Sequence, residues 1–402
     1  MNFNKYLDNK IWAMVILLSL PAGLNNGFNI LLLQKAGLTL SEISIILSSF
    51  SMAIVLFEIP TGVIGDLFGG KKTIICGVIF SLIGYALLYA ANNYNIFLIG
   101  TISVGIGASF VSGALLVWSL SIYKASSGKI NNKFYSLFRT YTNLGLMIGA
   151  IIGSFVVDIY FKLPWIISSI LLFVPLLLII KIPDYDSILD VKIKKETFKN
   201  FQEIVKKSFF VIKKIKTIKY SMYISLIESI EIAIFAMIAQ PYFVKISDSS
   251  YIGFLGIIYI LELFVTIVGN KVIASLKKEN YDLLKYKSLT LCMILGIITT
   301  VLIGTTFSLI IAVGLYLLRL MFMGIIEPIK DDIININAPY SVMATILSIK
   351  SLIERVIISI LYFSLSKINI DDMLGMLWII AGFSQILNLV FIRKLAKINK
   401  VL

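Results

Sequence analysis

The sequence predicts an all-α membrane protein of twelve transmembrane helices, with both termini cytoplasmic. Three observations carry this prediction. Of the 402 residues, 58% are hydrophobic and 14% charged, and the mean hydropathy is +0.95; a soluble chain carries about 25% charged residues. Apolar stretches recur from residue 11 to residue 396, each long enough for the roughly 20 residues of helix that cross a bilayer. Lysine and arginine gather on one side of those stretches, as they do in cytoplasmic segments.

In chain order the expected spans are 11–33, 40–64, 73–91, 95–122, 134–160, 164–182, 220–243, 251–271, 287–304, 307–328, 341–366 and 374–396. The first is no cleaved signal peptide, because it is long and carries Asn25, Asn26 and Asn29. With the N-terminus inside, 28 of the 36 basic residues fall in inside segments. Four (Lys35, Lys162, Lys245 and Lys367) fall in outside loops, and four (Arg139, Arg319, Lys350 and Arg355) fall within spans. The net charge of +14 is therefore a topology signal and does not point to nucleic acid.

Residues 1–182 form the expected N-terminal bundle, 183–219 a cytoplasmic linker and 220–402 the C-terminal bundle. In the linker Phe198, Phe201, Val205, Phe209 and Ile212 recur at helical spacing among lysines. This reads either as an amphipathic helix on anionic headgroups or as a solvated tether. An offset of 216 places Asp66, Lys71, Cys76 and Arg139 on Asp282, Lys287, Cys292 and Arg355, as two parallel halves would.

The chain has no histidine, and its two cysteines, Cys76 and Cys292, lie in apolar segments outside any CxxC. No metal site, cofactor or disulfide framework is expected. No P-loop and no nucleophile–base pair is present, so an enzyme is not expected.

The most specific local signal is Glu58-Ile-Pro-Thr-Gly62-Val-Ile-Gly-Asp66-Leu-Phe-Gly69-Gly70-Lys71-Lys72. It resembles the loop motif of the major facilitator superfamily, G-x-x-x-D-[RK]-x-G-[RK]-[RK]. Gly62, Asp66, Gly69, Lys71 and Lys72 match, while Leu67 and Gly70 replace basic positions. The resemblance implies a cytoplasmic gate latch at this loop.

In the fifth span Gly145, Gly149 and Gly153 repeat every four residues, a ridge that admits close helix packing. It is similar to the antiporter motif of bacterial drug-efflux (drug:proton antiporter) members of the superfamily, with Ala150 standing where that pattern has proline. The fourth span, Gly105 to Gly113, resembles the small-residue fourth span of those exporters, with Thr101 nearest the place of their arginine. The resemblance implies the major facilitator fold, two pseudo-symmetric six-helix bundles around a central cavity, and alternating access without ATP.

The charges inside spans are the informative bottom-up feature, because a mid-bilayer charge costs at least about 2.5–3.5 kcal/mol and tends to be functional. Glu228 and Glu231 stand one turn apart on the seventh span. Two carboxylates so close do not readily both ionise, so they form the expected proton-carrying pair unless Arg319 or Lys350 neutralises them. Glu262 in the eighth span is the next candidate for proton coupling. Arg319 is alternatively a cavity residue for an anionic group. Asn25, Asn26 and Asn29 offer amides to a cavity, and Trp118 an aromatic wall. Arg139, Glu354 and Arg355 are expected as structural charges.

The functional expectation is a secondary transporter in the bacterial plasma membrane, monomeric and in contact with lipid. It would export small amphipathic, drug-like compounds by proton antiport. The alternatives are a dedicated exporter or importer of one metabolite or peptide, and a non-transporting receptor or lipid-handling protein on the same scaffold.

Overall fold

The computed structural model describes residues 3–127, 132–182, 197–247, 251–274, 278–339 and 342–398, with a few side chains in these ranges, Asp66 among them, left undescribed. Fifteen helices lie among the described residues. They are α1 (Phe3–Asn26), α2 (Asn29–Lys35), α3 (Leu40–Phe68), α4 (Gly70–Ala90), α5 (Tyr94–Ser127), α6 (Asn132–Val156) and α7 (Leu163–Lys181). Then follow α8 (Thr197–Lys214), α9 (Lys216–Ser247), α10 (Phe254–Ala274), α11 (Lys278–Thr305), α12 (Leu309–Asn337), α13 (Met343–Leu365), α14 (Ile370–Ser384) and α15 (Ile386–Ile398).

Each expected span coincides with a helix or with a bent pair. Among the described residues nine helices are long and apolar enough to cross a membrane, counting α14 and α15 together, and ten with the bent pair α1/α2. The expected spans at 134–160 and 341–366 fall on α6 and α13, which do not reach that standard. On α13 Lys350, Glu354 and Arg355 crowd one stretch of an otherwise apolar helix. The axis turns by 53° between α1 and α2, at the stretch that carries Asn25, Asn26 and Asn29.

Local sequence explains the main breaks. Thr39 and Glu42 form a reciprocal capping box that starts α3. Gly69 adopts a φ of 88°, a region that a residue with a Cβ enters at a cost, and so ends α3 and starts α4 in one residue.

Two compact units emerge: Met1–Lys194 with Ser250–Ile260, and Lys195–Ser249 with Leu261–Leu402. These bounds differ from the expected ones at 250–260, which join the first unit. The reason is local. The Asp158 carboxylate accepts from the backbone amides of Ile252 (3.0 Å) and Gly253 (2.8 Å) just before α10. Gly256 meanwhile lets that helix close on Ser154. In the second unit, α8 packs through Val211 against Ile218, Met222, Ile334 and Ile346, so the linker is a helix there. Phe209, expected on its apolar face, is exposed together with Phe210. Phe198 and Phe201 lie outside the described side chains.

Candidate functional site

In the first unit α1 to α7 enclose a cavity of about 410 Å³. The Pro21–Asn29 stretch forms one wall, with Asn25, Asn26 and Asn29 all lining it. Asn25 is held on both sides: its Nδ2 donates to the Pro21 carbonyl at 2.7 Å and to Ser168 Oγ at 2.8 Å. A carbonyl only accepts, so the amide nitrogen must face Pro21 and the amide oxygen is fixed the other way. That oxygen, Oδ1, is buried and accepts nothing among the described residues. Asn26 donates to the Tyr259 hydroxyl at 3.1 Å. Thr101, Ser81 and Ser112 add hydroxyls, and among the described residues no charged side chain lines the cavity.

Its aromatic wall is Trp165, which is almost wholly buried and lies 5.7 Å from the Phe97 ring. Trp118, the expected wall, is elsewhere. It is fully buried against Gly70, where an added Cβ would stand 3.0 Å from the Trp118 Cβ. Gly70, standing where the motif has a basic residue, thus lets α4 approach the α5 backbone at Ala114 and Trp118. Trp165 gave only a weak signal in the sequence, a Pro-Trp pair opening a span.

The glycine ridge of α6 packs on α1. A Cβ at Gly145 would sit 2.5 Å from the Ile16 carbonyl oxygen, one at Gly153 2.8 Å from that of Leu24, and one at Gly149 would collide with that of Leu20. Gly23 returns the contact against Leu146. In the loop motif Lys71 donates to the carbonyls of Ile180 (3.2 Å) and Ile182 (2.6 Å), capping the C-terminal end of α7. Lys72 is exposed, Gly62 faces open space, and the expectation for Asp66 lies outside the described side chains.

The second unit holds the paired charges within spans. Glu231 on α9 and Arg319 on α12 form a two-point pair, Nε to Oε1 at 2.8 Å and Nη2 to Oε2 at 2.5 Å, with both side chains fully buried. Thr300 on α11 donates to the same carboxylate at 2.9 Å. The guanidinium lies over Gly296, where a Cβ would stand 3.0 Å from it. Glu228 pairs with Lys330 instead. Lys330 also bridges to Glu327 at 2.6 Å, and Lys350 on α13 reaches Glu327 (3.0 Å), Asp331 (2.8 Å) and Glu354 (3.9 Å).

Glu228 and Glu231 therefore each meet a separate cation, and Arg319 faces a carboxylate of its own unit. Lys330 corrects the sequence reading: it is buried in α12, which runs to Asn337, and is not a loop lysine beyond residue 328. Glu327 and Asp331 were missed with it. Arg355 is half-buried, and Arg139 is exposed. Glu262 on α10 is half-buried and accepts from the neutral Tyr316 hydroxyl at 3.1 Å.

Long apolar helices around an uncharged cavity, with ion pairs buried among other helices, define a multi-pass membrane transporter. The sequence profile of the Major Facilitator Superfamily matches residues 11–362, and the chain belongs to that family. An MFS-type transporter of Methanocaldococcus jannaschii is 29% identical over 156 residues, which is 39% of this chain. The chain thus spans 40% of the length of that curated relative. Among solved structures, a mutant form of the nucleoside transporter NupG is similar at a TM-score of 0.80 and 11% identity, over 97% of this chain and 99% of that one. A POT family transporter in complex with a thioalcohol-conjugated peptide follows at 0.75 and 12%, over 98% and 96%. A D-xylose–proton symporter follows at 0.70 and 13%, over 94% and 96%. At these identities the likeness is one of fold.

Proposed function

We propose that the chain is a monomeric secondary transporter of the bacterial plasma membrane that exports small amphipathic compounds in exchange for protons, by alternating access. The observation that carries this reading is the mostly apolar cavity, with no charged side chain among its described lining residues, to which Asn25, Asn26 and Asn29 contribute. Such a site suits a ligand with an apolar body and a few hydrogen-bonding groups. It gives an anionic ligand no cation, since Arg319 is occupied by Glu231.

For the coupling proton the best candidate of the three expected carboxylates is Glu262. Glu228 and Glu231 cannot be neutralised without stranding a buried cation. Glu262 can take up and release a proton while keeping its Tyr316 hydrogen bond.

The second reading is a dedicated carrier of one neutral, hydroxyl-rich metabolite. The asparagines and the Thr101, Ser81 and Ser112 hydroxyls in the cavity favour it. Purified protein in liposomes under an imposed pH gradient decides between the two, with cationic dyes, anionic metabolites and neutral nucleosides or sugars offered in parallel. Gradient-driven movement of dyes is the expected result, and movement of one neutral compound alone would favour the second reading. Glu262→Gln should abolish the gradient's effect and leave substrate exchange without a gradient intact. Rates indifferent to the gradient in the unaltered protein would refute proton coupling.

A further inference from the structure

Among the described residues, one face of α8 (Thr197–Lys214) is left uncovered. Val211 and Ser208 are buried on its packed side, whereas Phe209 (44% exposed) and Phe210 (62%) stand clear of the core. Val205 and Ile212 are half-buried, so of the expected apolar stripe only Phe209 is free among the described side chains. At about 3.6 residues per turn, Lys206 and Lys213 fall between the two phenylalanines, and Lys214 and Lys207 fall just beyond Phe210. All four lysines are exposed, and they share the face with the one carboxylate of α8, Glu203. The Lys214 ammonium lies 5.6 Å from the Phe210 ring centroid. The same pairing recurs where α9 and α15 meet: Lys219 lies 5.7 Å from Tyr223, and Lys394 lies 5.7 and 5.5 Å from Tyr220 and Phe391.

Unlike α9, α8 is not apolar enough to cross a membrane, yet only Ile215 separates the two. The end of α8 that carries Phe209 and Phe210 therefore lies where a span leaves the bilayer. Rings exposed to water are costly, and four lysines among them do not suit an apolar partner. Both fit the boundary between acyl chains and acidic headgroups, where rings enter the lipid and ammonium groups meet phosphates. We propose that this face of α8 docks on the anionic phospholipid of the cytoplasmic leaflet and so anchors the adjoining end of α9. Val211, packed with Ile218 and Met222, ties the docked helix to that end. The docking is independent of which substrate crosses and of which carboxylate carries a proton.

The test uses the full chain with Cys76→Ser, Cys292→Ser and Phe210→Cys, a nitroxide on the new thiol, in nanodiscs of phosphatidylcholine with or without phosphatidylglycerol. Collision of the label with oxygen, compared with a water-soluble nickel chelate, reads its depth. With phosphatidylglycerol the label should lie about 5–10 Å into the headgroup–acyl boundary. In phosphatidylcholine alone, or in concentrated salt, it should return to water. Each lysine near an anionic surface favours it by about fivefold. Lys213→Gln, a mild change at an exposed site, should therefore lower the ratio of docked to free label about fivefold, and neutralising Lys206, Lys207 and Lys214 as well should abolish docking. A label reached mainly by the nickel chelate in both lipids overturns the proposal. Equal immersion in both lipids also overturns it, leaving apolar contact alone, as does shielding from both reagents, which would assign the face to a protein partner such as a second copy.

Discussion

At the scale of single residues, the second unit separates charges that hold the fold from charges free to work. Glu231 and Arg319 are both fully buried and bonded at two points. Removing one partner strands the other, which costs about 3–5 kcal/mol. Glu231→Gln should therefore lower thermal stability by about that much, whereas Glu231→Leu with Arg319→Met, which removes both charges, should recover most of the loss. Unfolding midpoints of the two proteins in detergent check this, and equal destabilisation would mean that the pair does more than neutralise itself. Sequence reasoning found Glu228, Glu231 and Arg319 because an isolated charge in an apolar run is conspicuous. It missed Lys330, Glu327 and Asp331 because clustered charges at the end of a run read as a loop. Their partners lie on α9 and α13, with Glu228 102 residues from Lys330, and that separation hides the pairing.

At the scale of elements, small residues decide which helices touch. The α6 ridge meets the α1 backbone so closely that a methyl at Gly149 would collide with the Leu20 carbonyl. Gly149→Ala should therefore cost about 1–3 kcal/mol by overpacking. Gly314 on α12 has nothing within 4 Å of a built Cβ. Gly314→Ala should be neutral or stabilising by about 0.5–1 kcal/mol, since alanine loses less freedom in a helix. Melting curves of both variants make the comparison, and equal effects would show that the ridge is not a close contact. The four-residue glycine period was legible because the spacing itself states which face is small. Its partner was not, since α1 advertises only Gly23. Trp118 was misassigned for a similar reason: an indole in an apolar span looks the same whether it lines a cavity or, as here, is fully buried away from it.

At the scale of the whole molecule, each unit exposes large apolar side chains on its helices, such as Phe155 (70%) and Ile310 (86%), as helices bathed in hydrocarbon do. Hydropathy made the helices legible, but it does not by itself fix how many cross. α6 and α13 fall short of the standard the others meet, and if either lay along the surface, every later loop would change sides. The distribution of basic residues favours crossing by both: of the 28 assigned to the cytoplasm, 21 would move outside if α6 did not cross, and four if α13 did not. Reassigning Lys330 to the interior of α12 removes one of these without disturbing the asymmetry. The test begins by replacing the exposed Cys76 and the buried Cys292 with serine. Single cysteines at Ile188 and Asn280 should then react with an impermeant maleimide only from the cytoplasmic side, and those at Ile246 and Ile368 only from outside. Position 280 is diagnostic for α6, because loss of the fifth span would move Asn280 outside. Position 368 serves α13 in the same way, since it follows that helix. Outside labelling of Asn280 would reduce the first unit to an odd number of spans, which no arrangement of two parallel six-helix halves accommodates.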